Sequence, residues 1–220
     1  MWRVLSPARV DPLTVGEQEQ SAPAASDVPL MFPLMLNVSG LPILVVGGEG
    51  ISARFTMLAE HGASDVHVFA PDAGADIRTL VAGRLNEHLP VTDDFQNIRP
   101  RLVFIADVSD EIAQGLYAQA HTVGALVHVQ DRIPRCDFHL PARVRRGHLQ
   151  VTVSTDGKAA GLSRHIREFL ETHVFGPEWA QYVEEVAAAR AQWKREGLSF
   201  AALGKAVADL VSIRGWLKNP

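Results

Sequence analysis

Two aspartates stand where an α/β protein would place acid-base chemistry. Asp107 follows the apolar run at 102–106, and Asp131 follows the apolar run at 126–130. If both runs are parallel strands, their carboxyl ends line the ligand crevice of an open sheet. A carboxylate there can act as a general base or as a metal ligand. A lone aspartate after a strand more often only caps a turn, so both interpretations stay open for each residue.

A glycine-rich turn, within the segment VVGGEGISAR, follows an earlier apolar run at 43–46. The spacing Gly48-x-Gly50-x-x-Ala53 satisfies the loose dinucleotide fingerprint, in which backbone N–H groups approach a pyrophosphate at a helix N-terminus. The alternative is a tight turn that needs glycine for its geometry alone. Glu49 brings a carboxylate close to the expected phosphates, and we expect its side chain to point outward.

The acidic ribose ligand that normally ends the second strand of a dinucleotide-binding unit is missing. Ala70 and Pro71 stand at that position, and Asp72 is a late substitute. The residues predicted to bind the dinucleotide are Gly47, Gly48, Glu49, Gly50, Ile51, Asp72 and Asp107.

A polar junction, Ser154-Thr155-Asp156-Gly157, precedes a helical pattern. The strongest interpretation is that it caps the helix N-terminus. The functional alternative is an anion site for a carboxylate or phosphate, supported by Lys158 and Arg164. A basic turn lies just before this junction and contributes Arg143, Arg145 and Arg146.

The chain contains nine histidines, but none shows the spacing H-x-x-x-H or H-E-x-x-H. We therefore predict no dedicated metal site. His128 and His139 lie near the Asp131 loop, and His148 and His165 flank the polar junction. Each of them alone is more often a surface or capping residue than a ligand. A metal ion that the protein only transfers to a bound ligand would not require a fixed spacing of histidines.

The composition of the 220-residue chain restricts its class. It is 47% hydrophobic, enough for one sizeable core or a core with a small second domain. The net charge of −4 and a pI near 6.1 argue against a nucleic-acid surface. The single cysteine, Cys136, excludes a disulfide framework and fits a reducing cytoplasm. No apolar run approaches the roughly 18 residues of a membrane helix, and we expect no signal peptide.

Short apolar runs alternate with helical patterns, which predicts an α/β fold with a Rossmann-like parallel sheet. Strands are expected at 43–46, 66–69, 102–105 and 126–129. Helices are expected at 52–61, 76–82 and 110–122, the last capped by Ser109. After Asp131 we expect a short extended segment at 138–140, a strand at 149–154 and three amphipathic helices.

Two segments together resemble a known family. They are MFPLMLNVSGLPILVVGGEG, at 31–50, and VHVQDRIPRCDFHLPARVRRGHLQVTVSTDGKAAGLSRHIREFLE, at 127–171. They are similar to the precorrin-2 dehydrogenase/sirohydrochlorin ferrochelatase family, which also forms the N-terminal module of siroheme synthase. The second segment is the more specific, since it combines a strand-end aspartate, Phe-x-x-Pro-Ala, Arg-Arg-Gly-x-Leu and Ser-Thr-x-Gly-Lys.

The resemblance implies a cytoplasmic homodimeric enzyme that oxidises precorrin-2 to sirohydrochlorin with NAD. Some members of the family also insert ferrous iron. It implies that Asp131 is the catalytic acid-base residue and that the junction faces the tetrapyrrole. The predicted substrate-binding residues are His128, His139, Arg146, Ser154, Thr155 and Lys158. No nucleic-acid or membrane partner is expected.

Residues 1–29 are rich in Pro, Ser, Ala, Gln and Glu without a sustained period, and we expect them to form a poorly ordered tail. The resemblance implies a three-part chain after this tail. The expected parts are an NAD-binding domain at 30–134, a mixed strand-helix dimerisation and active-site region at 135–174, and a small helical domain at 175–220. Five positions depart from the family pattern. Glu49 replaces a third glycine, Asp107 a threonine, His128 an asparagine, and Ala159-Ala160 a Ser-Pro pair. Two alternatives therefore stay open: a chelatase without dehydrogenase activity, and a non-catalytic tetrapyrrole-binding or NAD-sensing protein.

Overall fold

The computed structural model describes residues 30–217, so the prediction of a poorly ordered tail at 1–29 lies outside the described residues. The described chain divides into two compact units. The first unit contains residues 30–140 and 156–159, and the second contains residues 141–155 and 160–217. None of the helices in residues 30–217 is both long and apolar enough to cross a membrane.

The first unit is an α/β unit built on five parallel strands. The strands are β1 (Ile43–Gly47), β2 (Val66–Phe69), β3 (Leu85–Asn86), β4 (Leu102–Ala106) and β5 (Leu126–Val129). The helices are α1 (Ile51–Glu60), α2 (Ala75–Leu80), α3 (Thr92–Ile98) and α4 (Asp110–Thr122). The strand order is β3-β2-β1-β4-β5, with every neighbouring pair parallel. The predicted Rossmann-like fold class is confirmed.

The sheet has an apolar core on each face, because its central strands are buried along their whole length. Ile43 and Val45 belong to the cluster that includes residues of α1 and α2. The alternate residues Leu44 and Val46 belong to the cluster that includes residues of α3 and α4. The expected N-cap is confirmed as well, since the Ser109 hydroxyl oxygen accepts a hydrogen bond from the backbone N–H of Ile112 at 3.3 Å.

The second unit begins with an antiparallel hairpin of β6 (Ala142–Arg146) and β7 (Leu149–Val153). It continues through α5 (Ala160–Phe169), a π-helical turn (Leu170–Val174), α6 (Trp179–Arg195) and α7 (Phe200–Arg214). The predicted basic turn is wrong, because Arg143, Arg145 and Arg146 lie on β6 and the turn itself is Gly147-His148. Gly147 adopts φ 56°, and such a left-handed turn suits glycine.

The second unit buries little of its apolar surface. Among its described residues only Val144, Ser163 and Leu203 are buried. The apolar face predicted for α5 exists, yet Leu162 is 54% exposed and Phe169 is 49% exposed. A helix whose apolar face is exposed is typical of a surface that another chain or ligand covers.

Candidate active site

The glycine-rich turn joins β1 to α1 where β4 comes closest. Gly47 adopts φ 145°, and a Cβ at this residue would lie 1.8 Å from the carbonyl oxygen of Ala106. A Cβ at Gly48 would lie 3.1 Å from the Asp107 Cβ, and a Cβ at Gly50 would lie 2.7 Å from Asp107 Oδ2. The glycines therefore let the end of β4 lie directly against the turn.

Asp107 is the first residue after β4, and its carboxylate lies in this turn. Its Oδ2 accepts a hydrogen bond from the backbone N–H of Gly50 at 2.5 Å. Its backbone is left-handed, with φ 53°, a conformation that aspartate and asparagine tolerate better than most residues. The carboxylate thus holds one N–H group at the start of α1, the kind of donor that the dinucleotide fingerprint offers to a phosphate.

The end of β5 lies beside the same turn. The backbone N–H of Gln130 donates to the Ile105 carbonyl at 2.9 Å, which extends the pairing of β4 and β5 by one residue. The Gln130 side-chain oxygen lies 3.4 Å from the position of a Cβ at Gly50. Asp131 follows, exposed and left-handed, with φ 58°. The carboxyl ends of β1, β4 and β5 therefore meet at one edge of the sheet.

Arginines fix the loop that follows Asp131. Arg132 donates to the Val108 carbonyl at 3.0 Å and lies 3.0 Å from a carboxylate oxygen of Asp110. Arg135 donates to both carboxylate oxygens of Asp110, and this contact holds the pKa of Asp110 below its usual value. These contacts connect the loop to the N-terminal turn of α4. The sequence analysis did not predict the contacts of Arg132 and Arg135 with Asp110. The acidic first turn of α4 and the basic residues of the loop were the pattern that could have indicated them.

His128 lies on β5, three residues before Asp131. Its Nδ1 lies 3.1 Å from the carbonyl oxygen of Phe138, and its ring packs against those of Phe104 and Phe138. Burial lowers the pKa of His128, and the nearby charge of Arg54 adds to this shift. His128 is therefore neutral near neutral pH, with Nδ1–H donating to the Phe138 carbonyl.

The polar junction is divided between the two units. Residues 156–159 belong to the first unit, where a Cβ at Gly157 would lie 3.0 Å from Ile133 and 3.4 Å from His139. The structure thus brings His139 and the loop after Asp131 to one side of the junction. Lys158 is exposed.

The remaining predicted substrate residues belong to the second unit. Ser154 is exposed, and the Thr155 hydroxyl lies 3.1 Å from the hydroxyl of buried Ser163. The Arg146 guanidinium donates to the Phe175 carbonyl at 2.9 Å and also contacts Glu171. Its hydrogen-bonding groups are therefore engaged within the unit.

The comparisons with known proteins agree along the chain. Residues 34–142 match the family described as "Putative NAD(P)-binding", and residues 146–173 match "Sirohaem biosynthesis protein central". Siroheme synthase of Actinobacillus succinogenes is 34% identical over 143 residues, which are 64% of this chain and 30% of that protein. Siroheme synthase of Neisseria meningitidis serogroup C is 33% identical, over 64% of this chain and 29% of that protein.

Residues 34–173 are therefore similar to an NAD(P)-binding family followed by a sirohaem biosynthesis family, and the chain is similar to siroheme synthases. It spans about 30% of the length of the curated relatives that it matches. The solved structure of "SirC, precorrin-2 dehydrogenase" superposes with a TM-score of 0.63 at 22% identity. That match covers 86% of this chain and 93% of the SirC chain, and it establishes a shared fold.

The backbone of the glycine-rich turn fits the dinucleotide that the NAD(P)-binding family implies. One of its N–H donors is already engaged. Gly48 and Gly50 leave a cradle that side chains would fill. Glu49 is exposed, as expected for a carboxylate that must avoid the phosphates. The Gly50 N–H, however, already donates to Asp107. Asp72 is also exposed, one residue beyond Pro71 after β2.

The described residues contain no group of three or more histidine, cysteine, aspartate or glutamate side chains arranged to hold a metal ion. Cys136 lies in the loop after Asp131, with its thiol directed to the carbonyls of Val129 and Arg132. Burial raises the pKa of this thiol, which argues against a role as a thiolate ligand.

Proposed function

We propose that this chain oxidises precorrin-2 to sirohydrochlorin with NAD, as a step of siroheme biosynthesis. The observation that carries the proposal is the position of Asp131, an exposed carboxylate at the end of β5, at the sheet edge that also carries the glycine-rich turn. The similarity to siroheme synthases, the match to the sirohaem biosynthesis family and the fold shared with SirC support the choice of substrate. Ligands of open α/β sheets bind at this edge.

The proposed reaction removes one hydride and one proton from precorrin-2. Bound NAD supplies the hydride acceptor. In this scheme the glycine-rich turn and the start of α1 hold the dinucleotide, and Asp131 takes the proton that leaves the macrocycle. Because Asp131 is exposed, the proton that it takes can pass to solvent after each turnover.

Lys158 and His139 are the first-unit residues best suited to the carboxylates of the tetrapyrrole. Lys158 is exposed, and His139 lies beside the Gly157 turn. Ser154 and Thr155, which directly precede this turn, remain proposed substrate residues of the second unit. For Arg146 we propose a supporting role, because its guanidinium already binds Phe175 and Glu171.

We also propose that the protein works as a homodimer in the cytoplasm. Leu162, Ile166 and Phe169 form an exposed apolar face on α5, and the second unit has few buried residues of its own. A second copy is the simplest cover for such a surface. The compartment is inferred from the lone cysteine, which a reducing environment suits.

The test is anaerobic incubation of the purified chain with precorrin-2, with and without NAD. The expected result is sirohydrochlorin formed together with NADH, and only when NAD is present. Precorrin-2 left unchanged in the presence of NAD would refute the dehydrogenase proposal.

Iron insertion into sirohydrochlorin is the second candidate function, with ferrous iron as a substrate. The contact between Asp107 and Gly50 favours it, because a carboxylate in the glycine-rich turn weakens the case for tight NAD binding. In that reaction Asp131 would take pyrrole protons as the metal enters. Sirohydrochlorin and ferrous iron, supplied without NAD, would then yield siroheme faster than a reaction without protein.

A further inference from the structure

We propose that Asp107 acts as an internal competitor of the cofactor phosphates and sets the affinity of this chain for NAD. The inference rests on the proposed function, because it concerns the same glycine-rich turn. The contact that carries it is the 2.5 Å hydrogen bond from the Gly50 N–H to Asp107 Oδ2. A phosphate that approaches this donor must displace the carboxylate.

The position of Asp107 is built into the fold. Residue 107 follows β4 at the level where Gly47 pairs with Ala106, so its carboxylate emerges directly against the turn. A Cβ at Gly50 would lie 2.7 Å from Asp107 Oδ2, so a side chain at residue 50 would force the carboxylate to shift. The carboxylate therefore lies directly against the backbone of Gly50.

Two nearby arginines contact a different carboxylate. Arg132 and Arg135, on the loop after Asp131, are paired with Asp110 instead. Glu49 adds a second carboxylate to the same turn, although its side chain is exposed. A dinucleotide brings two phosphate charges to this region, so its binding meets both the loss of the Asp107 hydrogen bond and repulsion from the carboxylate.

The test is calorimetric titration of NAD into the wild-type chain and two variants. Asp107→Asn removes the charge and keeps the shape, and asparagine tolerates the left-handed backbone of residue 107. Asp107→Gly removes the side chain and also suits φ 53°. We expect Asp107→Asn to bind NAD about tenfold more tightly than wild type, and Asp107→Gly at least as tightly as Asp107→Asn.

Two control variants distinguish the effect of the Asp107–Gly50 hydrogen bond from the effect of removing one negative charge. Glu49→Gln removes an equal charge from the same turn without freeing the Gly50 N–H, and its gain in affinity should be clearly smaller. Asp65→Asn removes a charge just before β2, at the opposite edge of the sheet, and should leave the affinity unchanged. Circular dichroism of each variant verifies that it is folded.

Equal NAD affinity of wild type and both Asp107 variants would overturn the inference, and so would an equal gain in Glu49→Gln. These outcomes differ from a failure of the proposed function. If the variants bind NAD more tightly but no form of the chain oxidises precorrin-2, the inference stands and the dehydrogenase proposal fails. If wild type oxidises precorrin-2 and the variants bind NAD no better, the dehydrogenase proposal stands and the inference fails.

Discussion

Gly47 of β1 lies so close to Ala106 of β4 that a Cβ on the glycine would come within 1.8 Å of the alanine carbonyl oxygen. The backbone of Gly47 also has φ 145°, a region that residues with a Cβ rarely adopt. Steric overlap and backbone strain therefore act at the same residue. The first glycine of the turn is needed to join the central strands, whatever the turn binds.

Replacement of Gly47 by alanine should destabilise the chain by about 3 kcal/mol or more, since the overlap and the strain both oppose the native backbone. The matched control is Gly115→Ala on the exposed side of α4, where a Cβ would meet nothing within 4 Å. That change should stabilise the chain by about 0.5–1 kcal/mol. Urea unfolding followed by circular dichroism measures both. A Gly47→Ala variant as stable as wild type would contradict the described contact.

Arg146 connects β6 to the end of the π-helical turn. Arg146→Ala should destabilise the second unit by about 1–3 kcal/mol. The Phe175 carbonyl, now 2.9 Å from the guanidinium, and the Glu171 carboxylate would both lose their hydrogen-bond donor. Arg146→Lys should recover only part of this, because lysine keeps the charge but lacks the planar donor fork. The control is Arg190→Ala on α6, whose side chain is exposed.

Tryptophan fluorescence is the appropriate probe for this prediction. The three tryptophans of the described residues, Trp179, Trp193 and Trp216, all belong to the second unit. Trp179 packs edge-to-face against Phe175, with ring centroids 5.2 Å apart. If Arg146→Ala unfolds at the same urea concentration as Arg190→Ala, the arginine does not support the unit and is free to bind substrate.

His128 should make the stability of the chain depend on pH. Burial lowers its pKa in the folded state below 6.5, its ordinary value, which we take for the unfolded chain. Below about pH 6.5 the unfolded chain binds the extra proton, so stability falls as the pH falls toward the folded-state pKa. Above about pH 6.5 the histidine contributes no pH dependence.

The variant His128→Asn tests this prediction, because an asparagine amide can also donate to the Phe138 carbonyl. Between about pH 7 and pH 5, wild type should lose more stability than the variant, by at most about 1.4 kcal/mol for each pH unit. Urea unfolding at several pH values gives the difference. Parallel pH profiles for the two proteins would mean that His128 is not buried as described.

The parallel sheet was predictable because its central strands are buried on both faces. The runs at 43–46 and 102–105 are continuously apolar, as buried parallel strands are, and both are strands of the structure. β3 and α3 were not predicted. β3 has only two residues, and α3 offers only Phe95 and Ile98 as apolar residues, so neither shows a readable period.

The site was only partly predictable from the sequence. The strand-end position of Asp131 follows from an apolar run, and the structure has that geometry. The bond between Asp107 and Gly50 joins residues 57 positions apart and depends on a left-handed residue after β4, which no local pattern signals. Arg146 was predicted to bind substrate as part of a basic cluster, and no local pattern indicated that its guanidinium also donates to the carbonyl of Phe175, 29 residues later in the chain.

Asp131→Asn is the change that most directly tests whether the carboxylate at the end of β5 takes part in the reaction. The asparagine tolerates the left-handed backbone at φ 58° and keeps the side-chain shape, so it removes the ionisable carboxylate alone. The side chain of Asp131 is exposed, and we expect the unfolding free energy to change by less than about 0.5 kcal/mol. Asp65→Asn, just before β2, removes an equal charge from the opposite edge of the sheet and serves as the control.

The decisive measurement is the rate of NAD-dependent sirohydrochlorin formation by wild type, Asp131→Asn and Asp65→Asn under saturating NAD. We predict that Asp131→Asn is slower than wild type by at least about 100-fold, and that Asp65→Asn matches wild type. Equal rates for Asp131→Asn and wild type would remove the strand-end carboxylate from the chemistry and contradict the proposed site.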